Sequence, residues 1–202
     1  EIVRTPTEAA WDAPDSHISI AEKLNREIPN SHILDQYKNP ANPDVHYKYT
    51  AQEIIDDLGP DIAMAVIGVG TGGTITGIAR KLKEVNPNIQ IIGVDPYGSI
   101  LGGGDEIQSY LVEGIGYDFF PDVLDNNLID EYIKTDDKNS FLMARRLIKE
   151  EGLLVGGSSG SAVWATLQVA KRLESGQKCV VILPDSIRNY MTKFVDDNWM
   201  KE

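Results

Sequence analysis

Along most of the chain, short unbroken apolar runs alternate with stretches whose apolar residues recur every three or four positions. Ile62–Ile67, Ile89–Val94 and Val180–Leu183 are nearly continuous, as in strands covered on both faces. Ile129–Lys134 reads as a further strand and Leu153–Val155 as a very short one. Helical periodicity covers about Thr74–Val85, Asn139–Glu151 and the stretch from Gly156 to about Leu173. Upstream, Ile2–Thr5 reads as extended. Ser16 offers an N-cap for a helix carrying Ile18, Ala21, Leu24 and Ile28 on one face. Ile33–Asp35 is a short strand-like run leading to Gln36 and Tyr37. The following N-P-A-N-P, Asn39–Pro43, is turn chemistry whose prolines bar a continuous helix. Thr50 then caps A-Q-E-I-I-D-D-L, with Glu53 completing a capping box. A terminal helix carries Phe194 and Trp199. Strands separated by helix-length segments predict an α/β fold with a parallel sheet flanked by helices.

Charge narrows the partners. With 31 acidic and 19 basic residues the formal net charge is -12, so nucleic acid and anionic membranes are repelled over most of the surface. No apolar run approaches the roughly 20 residues that span a bilayer. Cys179 is the single cysteine and sits in an apolar run, which reads as a structural thiol and fits a reducing, cytoplasmic setting. His17, at a helix start, His32 and His46 are not spaced as zinc ligands, so no metal site is expected.

Candidate chemistry lies in two glycine loops, each at the carboxyl end of a strand, where parallel sheets place ligands. Gly68, Gly70 and Gly73 match the dinucleotide spacing G-x-G-x-x-G, and Asp95 ends the next apolar run. The loop core, however, is Gly70-Thr71-Gly72-Gly73-Thr74. Its hydroxyls add to the helix N–H groups around one point, a better cup for a compact phosphate monoester than for an extended pyrophosphate. The second loop, Gly156–Ser161, reads as a helix start with glycines for the turn and serines for the cap. A serine there could also hydrogen-bond a neutral heterocyclic nitrogen.

These motifs resemble those of a known family. G-T-G-G-T at Gly70–Thr74 is similar to the phosphate loop of pyridoxal-phosphate enzymes of the tryptophan synthase β-subunit type, fold type II. E-I-V-R-T-P-T (Glu1–Thr7), N-S-H-I-L-D-Q-Y (Asn30–Tyr37), I-I-G-V-D-P (Ile91–Pro96) and V-E-G-I-G-Y-D-F (Val112–Phe119) narrow the resemblance to cystathionine β-synthases. So do E-G-L-L-V-G-G-S-S-G-S (Glu151–Ser161) and above all L-P-D-S-I-R-N-Y-M-T-K-F (Leu183–Phe194). The resemblance implies pyridoxal 5'-phosphate as cofactor and condensation of L-serine with L-homocysteine to cystathionine, in cysteine biosynthesis. It implies that Gly70, Thr71, Gly72, Gly73 and Thr74 hold the cofactor phosphate and that Ser158 meets the pyridine nitrogen. Gln36, Tyr37, Gly114, Gly116 and Tyr117 would border the substrate, with Ile115 in the same loop. Asp185 and Ser186 would lie near the cofactor ring. Arg80 matches a position facing haem in haem-containing members.

Residues 1–38 would then be the tail of a smaller catalytic lobe and residues 39–202 the larger cofactor-binding lobe. No lysine here stands in the family's Schiff-base motif, so that lysine is expected upstream and no catalytic residue is assigned in this chain. The family's haem ligands and its C-terminal S-adenosylmethionine-binding module have no counterpart either. The chain is therefore expected to be the C-terminal part of a catalytic core, inactive alone, from a protein that forms a homodimer or higher homo-oligomer. The stretch Leu101–Tyr110 is shorter than the family's usual one. Competing readings are a cysteine synthase using O-acetylserine and sulfide, a nicotinamide-binding domain, and a non-catalytic relative.

Overall fold

A computed structural model describes residues 1–6 and 9–201. Thr7, which closes the first of the family-like stretches, and Glu202, the last residue of the lobe expected over 39–202, lie outside the described residues.

Helix α1, His17–Glu27, is capped as its sequence predicts: the Ser16 side chain accepts from Ser19 N at 3.1 Å. Ile33–Asp35 is not a strand. Asp35 takes a left-handed φ of 45° and its carboxylate accepts from Tyr37 N at 3.1 Å, a local turn that competes with strand pairing.

Next, Asn39–Pro43 corrects the sequence reading. Instead of a turn, it opens a helical stretch: α2 (Ala41–Val45), a wider π-helical segment His46–Thr50, and α3 (Ala51–Leu58). Pro40 is the N-cap and Pro43 falls in the first turn, where a missing N–H leaves no intrahelical bond unmade. Thr50 is accordingly helical and makes no side-chain cap bond.

Strand β1 (Ile62–Gly68) turns through the first glycine loop into α4 (Gly73–Val85), followed by β2 (Gln90–Pro96) and β3 (Glu131–Thr135). Helix α5 (Asp137–Glu151) and α6 (Gly157–Val169) lead to β4 (Lys178–Val181). The sheet is parallel throughout, in the order β3-β2-β1-β4. Its two faces are sorted by residue parity. Ala65, Ile67 and Ile91 pack with Ile75, Ile78 and Ala79 of α4. Met64, Val66, Ile92 and Val94 pack with Ala165 and Val169 of α6. Burial on both sides is why these strands read as continuous apolar runs.

Close approach of helices depends on small residues. A Cβ on Gly77 would collide with the Pro43 carbonyl of α2, and one on Gly160 with the Ser140 carbonyl of α5. Trp164 is half-buried against the Met64–Val66 cluster. Cys179 packs there too, and burial pushes its thiol pKa up, away from reactivity.

The C-terminal stretch is the second correction. Instead of a helix it forms turns from Tyr190 and a 3-10 turn at Trp199–Lys201. Phe194 is fully buried, stacked on Phe141 at 5.4 Å, so aromatic packing against α5 determines its path. Leu153–Val155 supplies a single bridge, Val155 to Ser186, rather than a strand. No helix among the described residues is long and apolar enough to cross a membrane.

Candidate active site

The chain leaves β1 toward β2 and β3, then returns to β4 on the other flank of β1. In parallel sheets ligands bind at the carboxyl ends of the strands where the order reverses, and the first glycine loop follows the carboxyl end of β1. Gly72 is the N-cap of α4 at φ 87°, a left-handed conformation, and a Cβ there would meet Leu124 Cβ at 2.5 Å. No side chain caps α4 and no acidic residue sits in its first turn. By contrast α1 and α5 are capped by Ser16 and Asp136. The Gly73 amide has only a long 3.5 Å approach to Thr71 Oγ1.

Asn42, at the start of α2, fastens this loop. Its Nδ2 donates to Thr71 Oγ1 at 3.1 Å and to the Gln36 carbonyl at 2.8 Å. Thr74 Oγ1 lies 3.2 Å from His46 Nε2, and the other ring nitrogen lies 3.0 Å from Thr50 Oγ1. Burial lowers the His46 pKa below its ordinary value.

The stretch 114–117 packs on the loop's other side. The Gly116 amide donates to Val69 O at 2.8 Å, and a Cβ on Gly70 would meet Gly114 O at 2.5 Å. Tyr117 then reaches Tyr37, with hydroxyls 3.4 Å apart and rings edge-on at 5.5 Å. Tyr37 OH is also 2.9 Å from His17 Nε2, and Phe119 packs on both tyrosines. Burial, then the Tyr37 hydrogen bond, pushes the Tyr117 pKa well above the usual phenol range, so the Tyr117 hydroxyl stays protonated. Outside this chain of rings, a cavity of about 230 Å³ is lined by His17, Ile18, Ala21, Gln36 and Tyr37, among others.

The second glycine loop differs from its sequence reading. The N-cap of α6 is Gly156, with no side-chain cap bond, so the serines do not cap. Ser161 instead bonds Ser140 Oγ at 2.8 Å across to α5, and Ser159 Oγ is buried without a partner. Ser158 is only 3% exposed. Asp185 folds over this helix start: its carbonyl accepts from Gly156 N at 3.0 Å, and its carboxylate accepts from Tyr190 OH at 2.7 Å. Apolar packing links the two loops, since Ile115 abuts Gly68 and shares a cluster with Val112 and Tyr190.

The family described as pyridoxal-phosphate dependent enzyme matches residues 1–185. This chain belongs to that family. It is 63% identical to the cystathionine β-synthase of Dictyostelium discoideum over 99% of its length, covering 41% of that protein. It is 54% identical to the Saccharomyces cerevisiae enzyme of the same name, covering all of this chain and 42% of the relative. Against the cysteine synthase of Helicobacter pylori identity is 40%, over 95% of this chain and 62% of the relative. A crystal structure of an O-acetylserine-dependent cystathionine β-synthase from Helicobacter pylori superposes with a TM-score of 0.83 at 43% identity. That superposition covers 87% of this chain and 57% of the other. The chain thus spans about two fifths of the Dictyostelium and yeast relatives.

The residues present fit the family's phosphorylated cofactor. An uncapped helix start with two hydroxyls beside it, and no carboxylate in its first turn, is a donor-rich cup for a phosphate dianion. The nicotinamide reading loses its acid as well: Asp95 is fully buried and paired with Lys134 at 2.7 Å, not available to a ribose. Arg80 stands exposed on α4, 3.8 Å from Asp44. Sequence reasoning missed Asn42, because the prolines around it masked a helix start, and took His17 for a helix-start residue alone. No sequence signal connects His17 to Tyr37.

Proposed function

We propose that this chain supplies the cofactor-phosphate and substrate-bordering surfaces of an enzyme that condenses L-serine with L-homocysteine to cystathionine. Within it, residues 1–38 belong to the smaller lobe and residues 39–202 to the larger. The reading is carried by one observation: Asn42 joins the uncapped, threonine-flanked start of α4 to the Gln36–Tyr37 segment. The same residues that would grip a phosphate are thereby bonded to those that would border an amino-acid substrate.

Pyridoxal phosphate, when bound, supplies the electron sink that lets a β-substituent leave and a thiol replace it. The protein's part is orientation and electrostatics. The amides of Gly72 to Thr74 and the hydroxyls of Thr71 and Thr74 would hold the phosphate. Ser158 would hydrogen-bond the ring nitrogen without charging it. Tyr37 and Tyr117 would offer hydroxyls toward the substrate, and the rings of Phe119 and Trp11 would exclude water beside them.

Identity favours this reading over a cysteine synthase, being 54–63% with several proteins named cystathionine β-synthase against 40% with the cysteine synthase. The superposed Helicobacter pylori enzyme is O-acetylserine dependent, so the donor needs its own test. The intact protein should form cystathionine from L-serine and L-homocysteine faster than it forms cysteine from O-acetyl-L-serine and sulfide. The reverse order would place it with the cysteine synthases.

A further inference from the structure

Asp95 lies one residue before the end of β2 and is fully buried, yet the site described above does not use it. Its Oδ2 accepts from Lys134 Nζ at 2.7 Å and from the Gly102 amide at 2.8 Å. Lys134 stands opposite Asp95 in the β2–β3 register, so the sheet itself fixes the pair. The same ammonium donates to the Ser99 carbonyl at 2.7 Å. The stretch from Ser99 to Gly102 is thus fastened to the sheet at both ends, where the short Leu101–Tyr110 segment begins.

Ser99 passes that anchorage on. It is 2% exposed, and its hydroxyl is fully engaged. It accepts from the Tyr117 amide at 3.0 Å and from the Leu101 amide at 3.3 Å, and it donates to the Tyr117 carbonyl at 3.1 Å. The Ile100 amide donates to that same carbonyl at 3.0 Å. One buried side chain therefore holds Tyr117 by both its N–H and its C=O. These bonds are shielded from water, so removing their common partner leaves Tyr117 and Leu101 with unpaired donors.

We infer that Ser99 is a positioning residue: with the Asp95–Lys134 pair behind it, it latches the 114–117 loop so that Tyr117 meets the substrate in a preformed place. This rests on the reading of Tyr117 as bordering the substrate. The 114–117 loop touches the phosphate cup only at the backbone of Val69 and Gly70, whereas the hydroxyls of Thr71 and Thr74 are fastened by Asn42 and His46. Loosening the latch therefore acts on substrate binding, where the loop must be reordered, and not on cofactor binding or on turnover at saturation.

The test is Ser99→Ala in the intact protein, read by hydrogen exchange and by steady-state kinetics. Exchange in the peptide spanning residues 112–118 is expected to speed up about tenfold. The KM for the amino-acid donor is expected to rise about fivefold, with kcat and pyridoxal-phosphate affinity each within about twofold of wild type. Should Ser99→Ala not accumulate in folded form, Ser99→Cys, of similar size and a weak donor, is measured the same way. Unchanged exchange overturns the latch, and faster exchange with unchanged KM overturns the positioning role. A Tyr117→Phe variant separates the premise: if it leaves KM unmoved, the site reading of Tyr117 falls, and the positioning role with it.

Discussion

Asn42 places its Nδ2 3.1 Å from Thr71 Oγ1, so a residue of α2 fixes the hydroxyl that flanks the start of α4. The same nitrogen holds the carbonyl of Gln36 at 2.8 Å. Asn42→Ala removes both bonds at once. Affinity of the intact protein for pyridoxal phosphate should fall about tenfold, the worth of one to two hydrogen bonds. An equilibrium titration checks it, and wild-type affinity in the variant would separate α2 from the cofactor loop.

Gly77 is where α4 lies against α2 most closely. A methyl there would strike the Pro43 carbonyl, and backbone cannot step aside as a flexible side chain can. Gly77→Ala should therefore destabilise the protein by about 1–3 kcal/mol despite alanine's better helix propensity. Denaturant unfolding with an unchanged midpoint would contradict the packing described.

Tyr37 holds two partners with one hydroxyl, His17 at 2.9 Å and Tyr117 at 3.4 Å. Tyr37→Phe keeps the ring packing against Phe119 while removing both bonds. The KM for the amino-acid substrates should rise about three- to tenfold, with pyridoxal-phosphate affinity unchanged. Equal losses in cofactor affinity would assign Tyr37 to the cofactor instead.

His46 gives stability a pH dependence of determined sign. Its folded-state pKa is depressed by burial, below the ordinary value of about 6.5 expected in the unfolded chain. Its contribution is fully present above about pH 6.5 and is lost as pH falls toward the folded pKa, because the unfolded state there binds more protons. The cofactor-free protein should lose stability over that window, and His46→Gln should flatten the profile. A profile equally steep in the variant would move the dependence to another group.

The alternation of apolar runs and helical periodicity was sufficient for β1, α4, β2, α5 and α6, because the sheet is buried on both faces and each run has one reading. It failed where local chemistry was outweighed. Pro40 and Pro43 looked like a turn but sit in a first helical turn, and Phe194 followed aromatic packing rather than a terminal helix. The proposed phosphate cup rests on Gly70–Thr74, a five-residue motif legible in the sequence, and the structure adds that the helix start there is uncapped. Asn42, His17 and Ser99 were not visible: each acts on a residue between 18 and 29 positions away, through contacts that only the fold creates.

The cup itself is tested most directly by titrating the intact protein with pyridoxal 5'-phosphate and, separately, with pyridoxal, following visible absorbance. If the start of α4 with Thr71 and Thr74 holds the phosphate, the phosphorylated form should bind about 100-fold more tightly, the worth of two charge-assisted hydrogen bonds. Equal affinity for the two forms would mean that Gly70–Thr74 does not hold the phosphate.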